Sequence, residues 1–166
     1  MDNIKQKDIN ALKKQMFFMG DIGEYAKALE ILAEIINLGC RDADIIYAGA
    51  KNYFLLGDFE RAGKWVDMAL EFAPDHVEAR LLLAKLLLMK NRLPEALALY
   101  DFVAKHLSDR LTAENRDEMK DILMFYATHQ KYLVAFYPNV VDFLVREFNR
   151  DNLLNAFSWP SEGITV

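Results

Sequence analysis

The sequence has little of what marks a secreted, fibrous or disordered protein. Only one of its 166 residues is cysteine, four are proline and seven are glycine. The single cysteine, Cys40, has no partner in the chain for a disulfide or a zinc site, so we expect a reducing, cytoplasmic environment. Hydrophobic residues make up 53% of the chain and charged residues 27%, a balance that excludes collagen-like and low-complexity chains. The chain is long enough to bury a core of its own.

Long hydrophobic runs and local concentrations of one charge are also missing. The most apolar run, residues 81–89, is interrupted by Lys85 and is much shorter than the roughly 20 residues that cross a bilayer. The N-terminal residues lack the apolar centre of a signal peptide. The net charge is −5, from 20 basic and 25 acidic residues spread along the chain. We therefore expect neither membrane insertion nor binding of nucleic acid, which needs clustered basic residues.

No pattern of catalytic or metal-binding residues is visible. His76, His106 and His129 are far apart and have no second ligand at helix-face spacing, so we predict that they are solvated surface residues. Residues 20–23, with Gly20 and Gly23, follow no predicted strand and indicate a turn rather than a dinucleotide site. We predict a protein that is not an enzyme and has no catalytic residue, metal or cofactor.

The chain repeats itself with a period of 34 residues. Three units follow a lead-in of residues 1–8, and they span residues 9–42, 43–76 and 77–110. Alignment of the units places chemically similar residues in columns. The clearest columns are Gly23, Gly57 and Asn91; Tyr25, Phe59 and Leu93; Ala28, Ala62 and Ala96; Leu32, Val66 and Tyr100; and Ile35, Ala69 and Val103.

Two of these columns have a plain physical meaning. Glycine and asparagine adopt the left-handed conformation that ends a helix at low cost, so the first column predicts a tight turn between two helices in each unit. The alanine column falls one turn into the second helix. A small side chain there lets two helix backbones approach closely, and a larger one would overpack the contact.

The middle unit resembles a tetratricopeptide repeat (TPR). The residues that carry the resemblance are Gly49, Ala50, Tyr53, Gly57, Asp58, Phe59, Ala62, Val66, Ala69 and Pro74. The resemblance extends over residues 9–110 and implies an all-α, right-handed solenoid of three helix-turn-helix units. Trp65, on the second helix of the middle unit, is expected to pack between repeats, with a contact on the convex surface as the alternative.

Residues 111–157 have helical periodicity of their own. Their apolar spacing predicts a long helix over about 113–136, capped by Thr112 or Asn115 and ended by Pro138. Asn139 is expected to cap a short helix and Asp151 a last turn. We interpret this region as capping helices for the solenoid, with a second interaction surface as the alternative.

The tail, residues 158–166, is predicted to be irregular. Trp159 in this tail either packs back onto the domain or is an exposed anchor for a partner.

The resemblance also implies a peptide-binding groove on the concave surface. Asp44 and Glu78 are expected to face it, together with ten residues that we predict to form the binding site: Lys13, Phe17, Tyr47, Lys51, Phe54, Leu55, Leu81, Lys85, Leu88 and Met89. Arrays that grip a C-terminal carboxylate use Asn and basic residues where this chain has Phe17, Ala48, Glu78 and Leu82, which argues against an Hsp70- or Hsp90-tail adaptor.

The predicted groove is mostly apolar and contains two lysines. It suits an apolar or amphipathic peptide segment of a partner protein, with an acidic group for Lys51 or Lys85. We therefore predict a non-enzymatic interaction module, either a TPR adaptor or a chaperone-like protein. Three alternatives stay open: a groove filled by the C-terminal helices or by a second copy, a structural subunit or homodimer joined through those helices, and a chaperone of the type III secretion kind.

Overall fold

The described residues form helices and connecting turns, with no strand among them. A computed structural model describes the backbone of residues 2–158 and the side chains of residues 3–152. The chain divides into two compact units, Met1–Asn91 and Arg92–Val166, which we call the N-terminal unit and the C-terminal unit. The predicted all-α class is confirmed. No helix in the described part combines the length and hydrophobicity needed to cross a bilayer.

The N-terminal unit contains five helices. They are α1 (Asp2–Asp21), α2 (Tyr25–Asn37), α3 (Ala43–Leu55), α4 (Phe59–Phe72) and α5 (Val77–Met89). The predicted turn residues lie between consecutive helices and have positive φ angles: +83° at Gly23, +82° at Gly57 and +57° at Asn91. These left-handed residues confirm the turn column of the repeat. Residues 2–8 of the predicted lead-in contribute the first turns of α1.

Polar side chains cap the N-termini of three of these helices. The Asp42 carboxylate accepts a hydrogen bond from the Asp44 amide at the start of α3, and Asp58 accepts one from the Arg61 amide at the start of α4. His76 does the same for α5 through its ring. Each side chain satisfies an amide that has no partner within its own helix. Helices α3, α4 and α5 therefore have a side-chain cap at their start, whereas α2, which follows Glu24, has none.

The alanine column lies in the core. Ala28, Ala62 and Ala96 are completely buried, as are Ala50 and Ala84 on the first helices of the second and third repeats. Ala50 and Ala62 belong to one apolar cluster with Val66, and α3 packs along α4. The expected close approach of helices at these small residues is confirmed.

Gly49 on α3 makes room for two large side chains. A Cβ atom at this position would lie 2.5 Å from Leu32 Cδ2 and 2.8 Å from Trp65 Cε3. Leu32 is on α2 and Trp65 is on α4, so helices of the first two repeats meet over this glycine. The predicted packing of Trp65 between repeats is confirmed.

The C-terminal unit begins with the second helix of the third repeat. It contains α6 (Leu93–His106), a 3-10 turn (Ser108–Arg110), α7 (Ala113–His129), the short α8 (Lys131–Val134) and α9 (Pro138–Ser158). Thr112 caps α7 by accepting a hydrogen bond from the Asn115 amide, one of the two predicted caps.

The hydroxyl of buried Tyr100 on α6 has no hydrogen-bond partner among the described residues, and burial raises the pKa of this hydroxyl.

The prediction of a single long helix over about 113–136 is wrong. It is interrupted at Gln130, between α7 and α8. Near this break the Thr128 hydroxyl donates a hydrogen bond to the Met124 carbonyl, and the His129 ring contacts the Phe125 carbonyl. Side chains that bond to nearby carbonyls compete with the helix ladder, which explains an end without proline or glycine.

The predicted break before Asp151 is also wrong, because α9 continues from Pro138 to Ser158. Its first turn is capped by a side chain from another helix rather than by Asn139. Asp101 of α6 accepts hydrogen bonds from the amides of Asn139 (2.8 Å) and Val140 (3.0 Å) and from the Asn139 side chain (3.0 Å). Asp151 pairs instead with Lys120 of α7 at 3.4 Å. Trp159 and the rest of the predicted tail lie outside the described residues.

Replacement of Gly49 by alanine should destabilise the N-terminal unit by about 1–2 kcal/mol. The overpacking against Leu32 and Trp65 outweighs the gain of up to about 1 kcal/mol in helix propensity. Gly63→Ala in α4 is the matched control, because nothing lies within 4 Å of its added methyl group. This control should raise the free energy of unfolding by about 0.5–1 kcal/mol. Urea denaturation measures the change in unfolding free energy for both variants. Changes of the same sign in the two variants would contradict the tight packing at Gly49.

Replacement of Asp101 by alanine should loosen the start of α9. Hydrogen bonds to a charged group are worth about 1.5–3 kcal/mol, so we expect a loss of about 2–3 kcal/mol in unfolding free energy. Amide hydrogen exchange should accelerate at Asn139 and Val140. Asp101→Asn keeps an oxygen acceptor and should lose less. Unchanged exchange in the alanine variant would show that α9 does not depend on this cap.

Candidate functional site

A groove with a volume of about 490 Å³ opens on the surface of the N-terminal unit. Its walls come from the end of α1, the start of α2, the outer face of α3 and the start of α5. The lining residues are Met16, Phe17, Gly20, Asp21, Tyr25, Asp44, Tyr47, Ala48, Lys51, Asn52, Leu55, His76 and Glu78. We call this surface the N-terminal groove.

Helix α3 forms the floor of this groove. Its lining residues follow helical spacing, from Asp44 through Tyr47 and Lys51 to Leu55, so they share one face. With a rise of about 1.5 Å per residue, Asp44 and Lys51 are about 10 Å apart along the helix axis. The acidic end of the groove therefore lies two helical turns from its lysine, and Leu55 lies one turn further.

The apolar end of the groove is open to solvent. Phe17 of α1 is 47% exposed and Leu55 of α3 is 45% exposed. Large apolar side chains that stay exposed on a concave surface are typical of binding sites. Helices α1 and α3 are close here, because a Cβ atom on Gly20 would lie 3.4 Å from the Asn52 side-chain oxygen.

His76 organises the acidic end. Its side chain is only 8% exposed, so the prediction of a solvated surface histidine is wrong at this position. Nδ1 accepts a hydrogen bond from the Ala79 amide at 3.1 Å, and Nε2 lies 2.7 Å from Asp44 Oδ1. The ring also packs against Tyr47, with 5.1 Å between ring centroids. Burial follows because one ring serves as a helix cap, a hydrogen-bond partner and an aromatic contact.

The other two histidines are on the surface of the C-terminal unit. His106 is exposed and packs against Phe102, and His129 is exposed and stacks on Phe125. The described residues contain no group of three His, Cys, Asp or Glu side chains able to hold a metal ion.

Four of the ten predicted site residues line the groove together: Phe17, Tyr47, Lys51 and Leu55. Lys13 lies one helical turn before Phe17 and forms an ion pair with Asp42, with 3.6 Å between Nζ and Oδ2. Asp44 and Glu78, which we expected to face the groove, also line it.

The other predicted residues are not among those that line the groove. Phe54 packs edge-on against Phe59, with 5.3 Å between ring centroids, because its position on α3 points it toward α4. Leu81 is 7% exposed, which leaves too little surface for a ligand. Lys85, Leu88 and Met89 lie further along α5, whereas only the start of that helix, at Glu78, reaches the groove.

Several lining residues escaped the sequence analysis. Met16, Gly20, Asp21 and Tyr25 belong to the first helix-turn-helix, where α1 and α2 meet the groove. Asp21 follows Phe17 by one helical turn, so helical spacing would have found it. His76 stands directly before a predicted helix, which is a capping position.

The C-terminal unit has smaller, polar cavities. One of them measures about 380 Å³ and lies beside Arg116, Glu147 and Asp151. Arg116 donates to the buried Glu147 carboxylate at 2.8 Å and to the Ser108 carbonyl at 2.9 Å. These groups satisfy one another and stabilise the packing of α7 on α9.

Comparisons with known proteins find likeness in structure rather than in sequence. No protein-family model matches the chain, and no curated protein matches its sequence. MamA superposes with a TM-score of 0.67 at 15% identity, covering 93% of this chain and 86% of MamA. The type III secretion translocator chaperone SycD of Yersinia enterocolitica has a TM-score of 0.63 at 14% identity, covering 76% and 93% of the two chains.

A third similar structure is the Hsp90 co-chaperone Cns1 of Saccharomyces cerevisiae. Its TM-score is 0.62 at 17% identity, and the match covers 92% of this chain but 48% of Cns1. All three are TPR-like helical repeat proteins. The fold is a TPR-like helical repeat. At these identities the likeness shows the fold, and the chemistry of the groove has to be argued from the chain's own residues.

Proposed function

We propose that this chain is a non-enzymatic, chaperone-like interaction module that holds an apolar or amphipathic segment of a partner protein in the N-terminal groove. The observation that carries the proposal is the exposure of Phe17 and Leu55 beside the ring of Tyr47 in one concave surface. Burial of apolar surface contributes about 25 cal/mol per Å², so a segment with two or three apolar side chains would gain usable affinity.

The fold of the neighbours supports this role. This TPR-like chain shares its architecture with SycD, which has been solved with a peptide of the translocator YopD. A role like that of a secretion chaperone is the more specific version of the proposal. It rests on the shared fold, since SycD is only 14% identical.

A matched pair of double variants tests the groove. Phe17→Glu/Leu55→Glu places charge inside it, whereas Phe18→Glu/Leu56→Glu changes the neighbouring residues, which are equally exposed but do not line it. The probe is a library of acetylated, amidated hexapeptides built from Leu, Phe, Val and Ser with one Gln. Isothermal titration of the peptides retained by the wild type measures affinity.

We expect binding to weaken about tenfold or more in the groove variant, because two apolar contacts of about 1 kcal/mol or more are lost. The control variant should bind like the wild type. Circular dichroism and thermal melting verify that both variants fold. Equal binding by the two variants, or no retention of peptides by the wild type, would contradict the proposed function.

A second candidate is a homodimer or assembly subunit joined through the C-terminal helices. The observation that favours it is an apolar stripe on α9, formed by Val141, Val145 (52% exposed) and Phe148 (60% exposed). Their spacing of four and three residues is that of a helix seam, while Val140, Phe143 and Glu147 are buried on the opposite face.

If this seam joins two copies, sedimentation velocity at micromolar concentration should show a dimer that Val145→Lys/Phe148→Lys converts to a monomer. Gln130→Lys, at an exposed position outside the stripe, should leave the mass unchanged. A monomeric wild type would exclude the self-associating form of this candidate.

A further inference from the structure

The charges of the N-terminal groove are not balanced. Asp21, Asp44 and Glu78 contribute three carboxylates, whereas Lys51 is the single Lys or Arg among the lining residues. The sequence predicts a partner with an acidic group for Lys51 or Lys85. The lining instead has an excess of negative charge.

His76 does not offset this excess. Because its Nδ1 accepts the Ala79 amide hydrogen, the ring proton must be on Nε2, where it points at Asp44 Oδ1. The ring in this arrangement is the neutral tautomer. Glu78 Oε2 lies 3.7 Å from Nδ1, on the side of the ring that holds no proton. Asp44 and Glu78 therefore flank one ring that directs its Nε2 proton at Asp44 and presents no proton to Glu78.

The two carboxylates remain accessible to a ligand. The Asp44 side chain is 79% exposed and uses Oδ1 for the contact with His76, and the Glu78 side chain is 39% exposed. Tyr47, packed against the same ring, presents an aromatic side chain beside them. A cation placed here would meet two carboxylates and an aromatic ring, both of which attract positive charge.

We propose that the segment held in the groove carries a lysine or arginine next to its apolar residues, with the basic group bound at the Asp44 and Glu78 end. This inference rests on the proposed function and adds the polarity of the ligand. Lys51, about 10 Å further along α3, disfavours a cation at the middle of the groove and so directs it to the acidic end. The apolar residues of the segment then extend toward Phe17 and Leu55.

Three peptide libraries test this polarity. Each consists of acetylated, amidated hexapeptides with five positions drawn from Leu, Phe, Val and Ser, and the remaining position is Lys, Gln or Glu. We expect the wild type to retain the Lys library best and the Glu library least. Affinity for Lys peptides should fall between 0.05 M and 0.5 M salt, because salt screens exposed charges.

Two variants assign the preference to the proposed residues. Asp44→Asn/Glu78→Gln keeps side-chain size and should weaken Lys peptides roughly three- to tenfold more than Gln peptides, as expected for two exposed ion pairs. Lys51→Gln should leave the preference for Lys peptides unchanged or increase it. Thermal melting verifies folding of both.

The outcomes separate this inference from the function on which it rests. Retention of Gln or Glu peptides at least as strongly as Lys peptides, with groove variants still abolishing binding, overturns the polarity and leaves the groove as the site. A preference for Lys peptides that survives Asp44→Asn/Glu78→Gln also overturns it. Equal peptide binding by Phe17→Glu/Leu55→Glu and by its control Phe18→Glu/Leu56→Glu overturns the proposed function itself.

Discussion

The close approach of helices at small residues is the constraint on which the rest of this structure depends. Helix α3 packs tightly against its neighbours at Gly49, Ala50 and Ala62. A larger side chain at these positions would overlap the neighbouring helices. Trp65 and Leu32 fill the space above Gly49. Tight packing on the inner face of α3 holds its outer face, with Tyr47, Lys51 and Leu55, as a fixed floor of the groove.

His76 links the architecture of the repeat to the chemistry of the groove. As a helix cap it belongs to the fold, because it satisfies the Ala79 amide at the start of α5. As a neighbour of Asp44 and Tyr47 it belongs to the groove surface. The same ring therefore sets where α5 begins and how the acidic end of the groove is arranged. A change at this position would alter stability and ligand recognition together.

Structural likeness and sequence likeness separate clearly in this protein. Its similar structures share 14–17% of their residues with it, yet they superpose over most of its length. One fold can carry many different sites, so a shared architecture does not fix the side chains of a groove. An acidic, aromatic and apolar groove is accordingly a property of this chain, and its ligand follows from those residues rather than from the fold.

The sequence by itself determined the repeat, its turns and its buried small residues, because these depend on local backbone conformation and on helical spacing. The resemblance to a tetratricopeptide repeat also placed four of the ten predicted site residues on the surface that forms the groove: Phe17, Tyr47, Lys51 and Leu55. Only the tertiary structure decided the rest. The contact of His76 with Asp44 joins residues 32 positions apart, and the cap of α9 joins Asn139 to Asp101, 38 residues before it. Contacts between distant residues have no periodic signature, so no local pattern could predict them.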